Sequence, residues 1–204
     1  MMEIKIIERA VNAMLEQNDL FLAFPSIQTK RLHLRQIVAA DAEDLYSFYK
    51  DPKFIKYLDW DGPGSIEECA KMIDSWNRSY EAKRLLPWGI AWRNNNKLIG
   101  TVMFMPLRGT FEDTPRFPFT IGYDLKRELW NKGIMTEALQ AALDFCTKKI
   151  GPHRVQAEVL PGNTASIKLL KKLGFREEGL LHHYLMHERT KTFLNVVVLA
   201  LLLN

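Results

Sequence analysis

Apolar positions recur at helical spacing through Ile4, Ile7, Val11, Met14 and Leu15, with charges on the opposite side, which predicts an amphipathic helix ahead of Pro25. The alternation of Leu32, Leu34 and Ile37 around His33 and Arg35 predicts a first strand. Asp41 is placed to cap a following helix that carries Leu45, Phe48 and Tyr49 and is interrupted by Pro52. A turn at Gly62, Pro63 and Gly64 leads to Ser65, which with Glu68 has the spacing of a capping box and starts a second helix ending near Lys83. Residues 88–92 and 98–105, joined by Asn94, Asn95, Asn96 and Lys97, read as a strand hairpin.

A loop rich in proline and charge over residues 108–118 separates that hairpin from another predicted strand at 119–125. Leu139, Ala142, Leu143, Cys146 and Ile150 then share one stripe of a helix that Gly151 and Pro152 terminate. Residues 154–160 read as a strand, and Asn163 opens a short helix through Lys172 that Gly174 ends. Two final strands are expected near Tyr184 and over residues 196–202. Interleaved strands and helices of this kind define an α/β class.

At 204 residues with 47% hydrophobic content the chain can bury one substantial core, so one domain with an N-terminal extension is expected. A formal charge of +4 is too slight and too scattered for nucleic-acid binding, and it suits a polyanionic small ligand. Cys69 and Cys146 fall inside helical patterns with no CxxC pair, which indicates reduced thiols and no metal site. Glu3, Lys5, Glu8 and Arg9 break any signal-peptide core, and the apolar run over residues 196–203 is too short to span a bilayer. A soluble, cytoplasmic protein without a membrane partner is the expectation.

Between the strand ending at Leu125 and the helix starting near Met135 lie Trp130, Asn131, Lys132, Gly133, Ile134, Met135 and Thr136. The first amides of a helix have no internal partner, and the helix dipole places about half a positive charge there, so such a junction can hold a pyrophosphate without cationic side chains. Gly133 allows close approach of backbone to ligand. The loop lacks the Gly-Lys-Ser/Thr of a Walker loop and the further glycines of a dinucleotide fingerprint. A single glycine before a helix also serves as a simple turn.

The order of elements, together with Ile121-Gly122-Tyr123, the run from Trp130 through Glu137 and Ala138, Asn163-Thr164-Ala165-Ser166 and Leu173-Gly174-Phe175-Arg176, resembles the GNAT N-acetyltransferase superfamily, and within it the Rim-type ribosomal-protein acetyltransferases. The resemblance covers roughly residues 27–203, which divides the chain into a helical extension at 1–26 and an acetyltransferase domain at 27–204. It implies a mixed, mostly antiparallel sheet of about seven strands with flanking helices and two central parallel strands that splay apart. It implies acetyl-CoA as co-substrate, bound by the strand Tyr123, Asp124 and Leu125, by Asn131, Lys132, Gly133, Ile134, Met135 and Thr136, and by Asn163, with no metal. Lys126, Arg127 and Lys132 are candidates to neutralise its phosphates. Trp130 stands where the family has Gln or Arg, a replacement common in the Rim-type branch, and Met135 stands where it has a small residue, which is expected to crowd the loop.

Two of the family's proton carriers are absent: Leu170 replaces the usual Tyr acid and Thr120 the usual Glu base. By the same resemblance Ser166 falls near the sulfur, and Glu158, alternating with Val155, Ala157 and Val159, projects to the opposite strand face from them. These are the candidates for acid and base, ahead of His182, His183 and Tyr184; Ser166 also reads as a helix-surface hydroxyl and Glu158 as an exposed strand carboxylate. Glu112 and Asp113 either attract a cationic acceptor or keep their loop soluble. The acceptor is expected to be a protein N-terminal α-amine or a small-molecule amine. A non-catalytic acyl-CoA-binding or regulatory module is the alternative, and the N-terminal helix is a candidate docking element for a homodimer.

Overall fold

A computed structural model of the chain describes residues 20–113 and 117–203. The helix expected over the first twenty residues lies outside them apart from Leu20. Strands β1 (Ile27–Gln28) and β2 (Leu32–Gln36) lead to a 3-10 turn and three helices, α1 (Ala42–Tyr49), α2 (Pro52–Ile55) and α3 (Ile66–Glu81). Then follow β3 (Leu86–Trp92), β4 (Leu98–Pro106), β5 (Phe119–Leu125), α4 (Ile134–Lys149), β6 (Arg154–Val159), α5 (Thr164–Lys172), β7 (Arg176–Met186) and β8 (Phe193–Leu202). One sheet holds all eight strands in the order β1-β2-β3-β4-β5-β6-β8-β7. The mostly antiparallel mixed sheet matches the expectation, and the extra strand is the two-residue β1.

Two cores cover the two faces of the sheet. Val102, Phe104, Ile121 and Leu125 pack with Ala138, Leu139, Ala142 and Cys146 of α4, while Leu98 packs with Leu45, Phe48, Cys69 and Ile73 of α1 and α3. The stripe read from the α4 sequence is the buried one, since Leu139, Ala142, Leu143 and Cys146 are all at most 4% exposed. The rings of Phe21 and Phe24 pack at a tilt against Tyr80, and Trp88 Nε1 donates to the Pro25 carbonyl at 2.8 Å, so the segment just before β1 is packed onto the domain.

Local chemistry differs from the expectation at two helix starts. Asp41 does not cap α1. Its carboxylate instead takes both outer nitrogens of Arg35 at 2.7 Å and the Val38 N–H at 2.8 Å, because a bidentate guanidinium outcompetes a cap bond here. Ser65 accepts the Glu68 N–H at 3.2 Å as expected, but Glu68 returns its carboxylate to the Gly64 N–H at 2.6 Å rather than to Ser65. Strand β3 begins at Leu86, before the Trp88 predicted as its start, with Pro87 inside it opposite Met103.

The feature that positions the site is the junction of β5 and β6, the one parallel pair among the described strands. They pair only at Phe119 with Val155 and Thr120 with Gln156. Beyond that point β5 stays paired with β4 through Leu125, and β6 stays paired with β8 through Val159. Each strand follows the twist of a different neighbour, so the two diverge and leave a row of backbone groups on β5 without a ladder partner.

Candidate active site

The divergence opens a cleft of about 880 Å³ between β5, β6, the start of α4 and α5. Of the residues expected at a coenzyme, Tyr123, Asp124, Leu125, Asn131, Gly133, Ile134, Met135, Thr136 and Asn163 line its wall; Lys126, Arg127 and the exposed Lys132 do not. Glu158 and Ser166 line the same cleft. His182 and His183 do not: the His183 ring stacks on Phe193, and its backbone N–H donates to Asn195 at 3.0 Å. Glu112 pairs with Lys83, and Asp113 accepts the Thr110 N–H at 2.7 Å, so both serve their own loop.

Gly133 precedes α4 with φ +69, and Asn131 two residues earlier has φ +59. Left-handed residues alternating in this way curl consecutive peptide N–H groups into a concavity for an anion. Any side chain at Gly133 would be strained by that backbone. The concavity, the helix start and the unladdered β5 edge together fit a ligand with a pyrophosphate and an extended amide-bearing arm. Of the cations proposed for the phosphates, Lys126 pairs with Glu128 at 3.3 Å and Arg127 with Asp51. Met135 is 7% exposed and packs into the α4 core while still reaching the cleft wall, so most of its bulk is withdrawn from the loop.

Trp130, identified from sequence only as a substitution, ties the loop to the strand: its Nε1 donates to the Leu125 carbonyl at 2.7 Å. Trp130→Phe leaves that buried carbonyl unsatisfied, with an expected cost of about 1–2 kcal/mol in a thermal or urea melt.

Tyr123 on β5, Glu158 on β6 and Ser166 on α5 carry the polar chemistry. The Tyr123 hydroxyl and Ser166 Oγ are 2.5 Å apart, and Ser166 N–H donates to Asn163 Oδ1 at 3.1 Å, so Asn163 caps α5 and sets the serine at one stroke. Burial pushes the Tyr123 phenol up to about 12, against the bond to Ser166 and with the help of the Asp124 charge, so it keeps its proton at neutral pH. Glu158 accepts from the Tyr184 hydroxyl at 3.3 Å. The Thr120 hydroxyl is spent on the Gln156 carbonyl at 3.3 Å, and Leu170 is fully buried.

The Tyr123 side chain and the surroundings of Asp124 were not read from the sequence, which treated both residues as backbone contacts. Asp124 Oδ2 accepts from Tyr49 at 2.8 Å and Thr101 at 3.3 Å. Burial raises its carboxyl above the ordinary value despite those two bonds. The parity of β5 was a usable signal, since Asp124 lies on the same strand face as Thr120 and Gly122. The identity of its partners was not, because Tyr49 is 75 positions away.

A strand edge and an amide concavity that suit a pantetheine-pyrophosphate, with a carboxylate and a hydroxyl pair nearby, are compatible with acyl transfer from a coenzyme A thioester. Residues 31–176 match the acetyltransferase (GNAT) domain family, and the chain belongs to that family. It is 33% identical over 173 residues to the uncharacterized N-acetyltransferase YoaA of Bacillus subtilis, spanning 85% of this chain and 95% of that one. It is 27% identical to the ribosomal protein uS5-alanine N-acetyltransferase of Escherichia coli, over 78% of this chain and 82% of the relative. Its fold matches RimL, a ribosomal L7/L12 α-N-protein acetyltransferase solved with coenzyme A, with a TM-score of 0.74 at 20% identity over 88% of this chain and 98% of that one. The protein is an acetyl-CoA-dependent N-acetyltransferase.

Proposed function

We propose that the enzyme acetylates a protein N-terminal α-amine or a small-molecule amine in the cytoplasm, by direct attack in a ternary complex, with Glu158 as base and Ser166 as acid. The observation that carries this reading is the two-residue contact of β5 and β6, which opens a cleft walled by Glu158, Tyr123 and Ser166. In this reading the amides of residues 131–136 take the pyrophosphate, the edge of β5 at Tyr123, Asp124 and Leu125 takes the pantetheine arm, and Asn163 reaches the same arm. Bound acetyl-CoA supplies the thioester. Glu158 accepts the proton of the attacking amine, while Ser166 supplies one to the departing sulfur and is resupplied through the hydrogen-bonded hydroxyl of Tyr123, which enters the reaction protonated and regains its proton from solvent on product release. The domain is taken as residues 27–204 and residues 1–26 as its extension.

The choice of acceptor follows from proton energetics. An α-amine titrates near 8 and a lysine near 10.4, a difference of roughly 3 kcal/mol in deprotonation. With Thr120 in place of the usual base, a weaker acceptor base is the easier substrate. Thiol release from acetyl-CoA should be faster with free N-terminal peptides or small amines than with an N-blocked lysine peptide. If coenzyme A binds but no amine in such a panel accelerates release, the chain is a non-catalytic acyl-CoA-binding module instead.

A further inference from the structure

The turn between β1 and β2 reaches across to the start of α4. Arg31 Nη1 donates to the Lys132 carbonyl at 3.1 Å and Nη2 to the Gly133 carbonyl at 3.1 Å. Its Nε donates to Glu137 Oε2 at 2.6 Å and its backbone N–H to Glu137 Oε1 at 2.9 Å, where the Thr29 hydroxyl also donates at 2.5 Å. The turn itself is anchored from β3 and its hairpin: the Arg93 N–H donates to the Arg31 carbonyl at 3.0 Å and its side chain to the Thr29 carbonyl at 2.9 Å. One guanidinium therefore uses all three of its nitrogens on the loop and on the first turn of α4.

We propose that Arg31, braced by Glu137, is a positioning residue that holds the residue 131–136 loop in its anion-binding shape. A peptide unit is planar and trans, so its carbonyl and the following N–H point in opposite directions. With the Lys132 and Gly133 carbonyls drawn to Arg31, the amides of Gly133 and Ile134 are turned to the other side, where both residues line the cleft. The Gly133 carbonyl is also held by the Glu137 N–H at 3.2 Å as part of the helix. Among the described residues, the Lys132 carbonyl takes its hydrogen bond from Arg31, so the peptide between residues 132 and 133 depends on that side chain most. A loop with two left-handed residues has several alternative peptide orientations, and fixing one in advance removes an ordering cost from ligand binding.

Glu137 has a second part in this arrangement. An unpaired carboxylate in the first turn of α4 would repel a pyrophosphate held at the same helix end. Burial raises the Glu137 carboxyl, but the bonds from Thr29 and from the Arg31 backbone and side chain, with the Arg31 charge, outweigh it, so its net shift is downward. It is accordingly neutralised by pairing rather than by protonation. Arg31 and Glu137 form one unit, and their side chains are 40% and 20% exposed, so substitutions there leave the core intact.

This inference rests on the coenzyme-binding reading of the loop, and calorimetry with coenzyme A itself separates the two. Arg31→Ala is expected to raise the coenzyme A Kd about tenfold or more with a thermal midpoint close to that of the parent. Arg31→Lys keeps the charge but cannot serve two carbonyls and a carboxylate together, so it should fall nearer to Arg31→Ala than to the parent. In the free protein, amide hydrogen exchange at Glu137, whose N–H is held by the Gly133 carbonyl at 3.2 Å, should quicken in Arg31→Ala and stay unchanged over β5, a readout that general destabilisation would not produce. An unchanged Kd in folded Arg31→Ala overturns the positioning role while leaving the site intact. Parent-like affinity in Arg31→Lys overturns the geometric account in favour of charge alone. Failure of the parent protein to bind coenzyme A overturns the reading of the loop and this inference with it.

Discussion

Ser166→Ala should lower kcat about 100-fold with the acetyl-CoA KM changed little, because a positioned proton donor contributes to the transition state and hardly to ground-state binding. Such a loss corresponds to about 2.7 kcal/mol of barrier. The 2.5 Å contact between Ser166 and Tyr123 makes the two hydroxyls one donor, so Tyr123→Phe should lower kcat by a smaller factor, about tenfold. The double variant should then be no slower than Ser166→Ala alone, which is the non-additivity expected of groups acting as a unit. Thiol release at saturating acetyl-CoA measures all three. The pH profile adds a sign: a phenol raised to about 12 keeps its proton far into the alkaline range, so kcat should rise with pH to a plateau rather than trace a bell. Parent-like kcat in Ser166→Ala removes the serine from the mechanism. Glu158→Gln provides the matching measurement for the base, with a loss of kcat expected.

The largest stability effect is expected from Gly100→Ala. A Cβ at Gly100 would lie 2.3 Å from the Asp124 carbonyl oxygen and 3.2 Å from the Leu125 Cα, both of them backbone. At Gly89, by contrast, the nearest atoms are side-chain carbons, Leu98 Cδ1 and Ile37 Cγ1, and not backbone. Relief at Gly100 requires β4 to part from β5 opposite Leu125, whose carbonyl holds Trp130. The expected loss is about 3 kcal/mol, or roughly 6–12 °C in thermal midpoint for a domain of this size. Coenzyme A affinity should fall as well, since the displaced residues form the edge that the pantetheine arm would use. Gly179→Ala is the control, since nothing lies within 4 Å of a Cβ there and its backbone is unstrained. Equal midpoints for the two variants would show that the strands accommodate the methyl group at Gly100.

Much of this architecture is legible in the amino-acid sequence. The stripe of α4 is visible because a helix buries every third or fourth residue, and that periodicity is local. The same holds for the alternation of Val155, Ala157 and Val159 on β6, all buried, with Glu158 turned to the other face. Asn163 is readable as a cap for the same reason, and it does accept the Ser166 N–H. Asp41 shows the limit of local reading: its position suits a cap, yet the competing partner, Arg35, lies on the neighbouring strand and wins by bidentate geometry.

What the chain determines by itself is therefore its elements, the position of the loop at residues 130–136, and the candidate status of Glu158 and Ser166. Their assembly belongs to the tertiary structure. The splay exists because β5 follows β4 while β6 follows β8, a strand that arrives far later in the chain. The Tyr123 hydroxyl meets a serine 43 positions away, and Arg31 meets a loop carbonyl 101 positions away. Pattern and propensity act over a few residues, whereas hydrogen bonds between side chains brought together by folding depend on every turn between them.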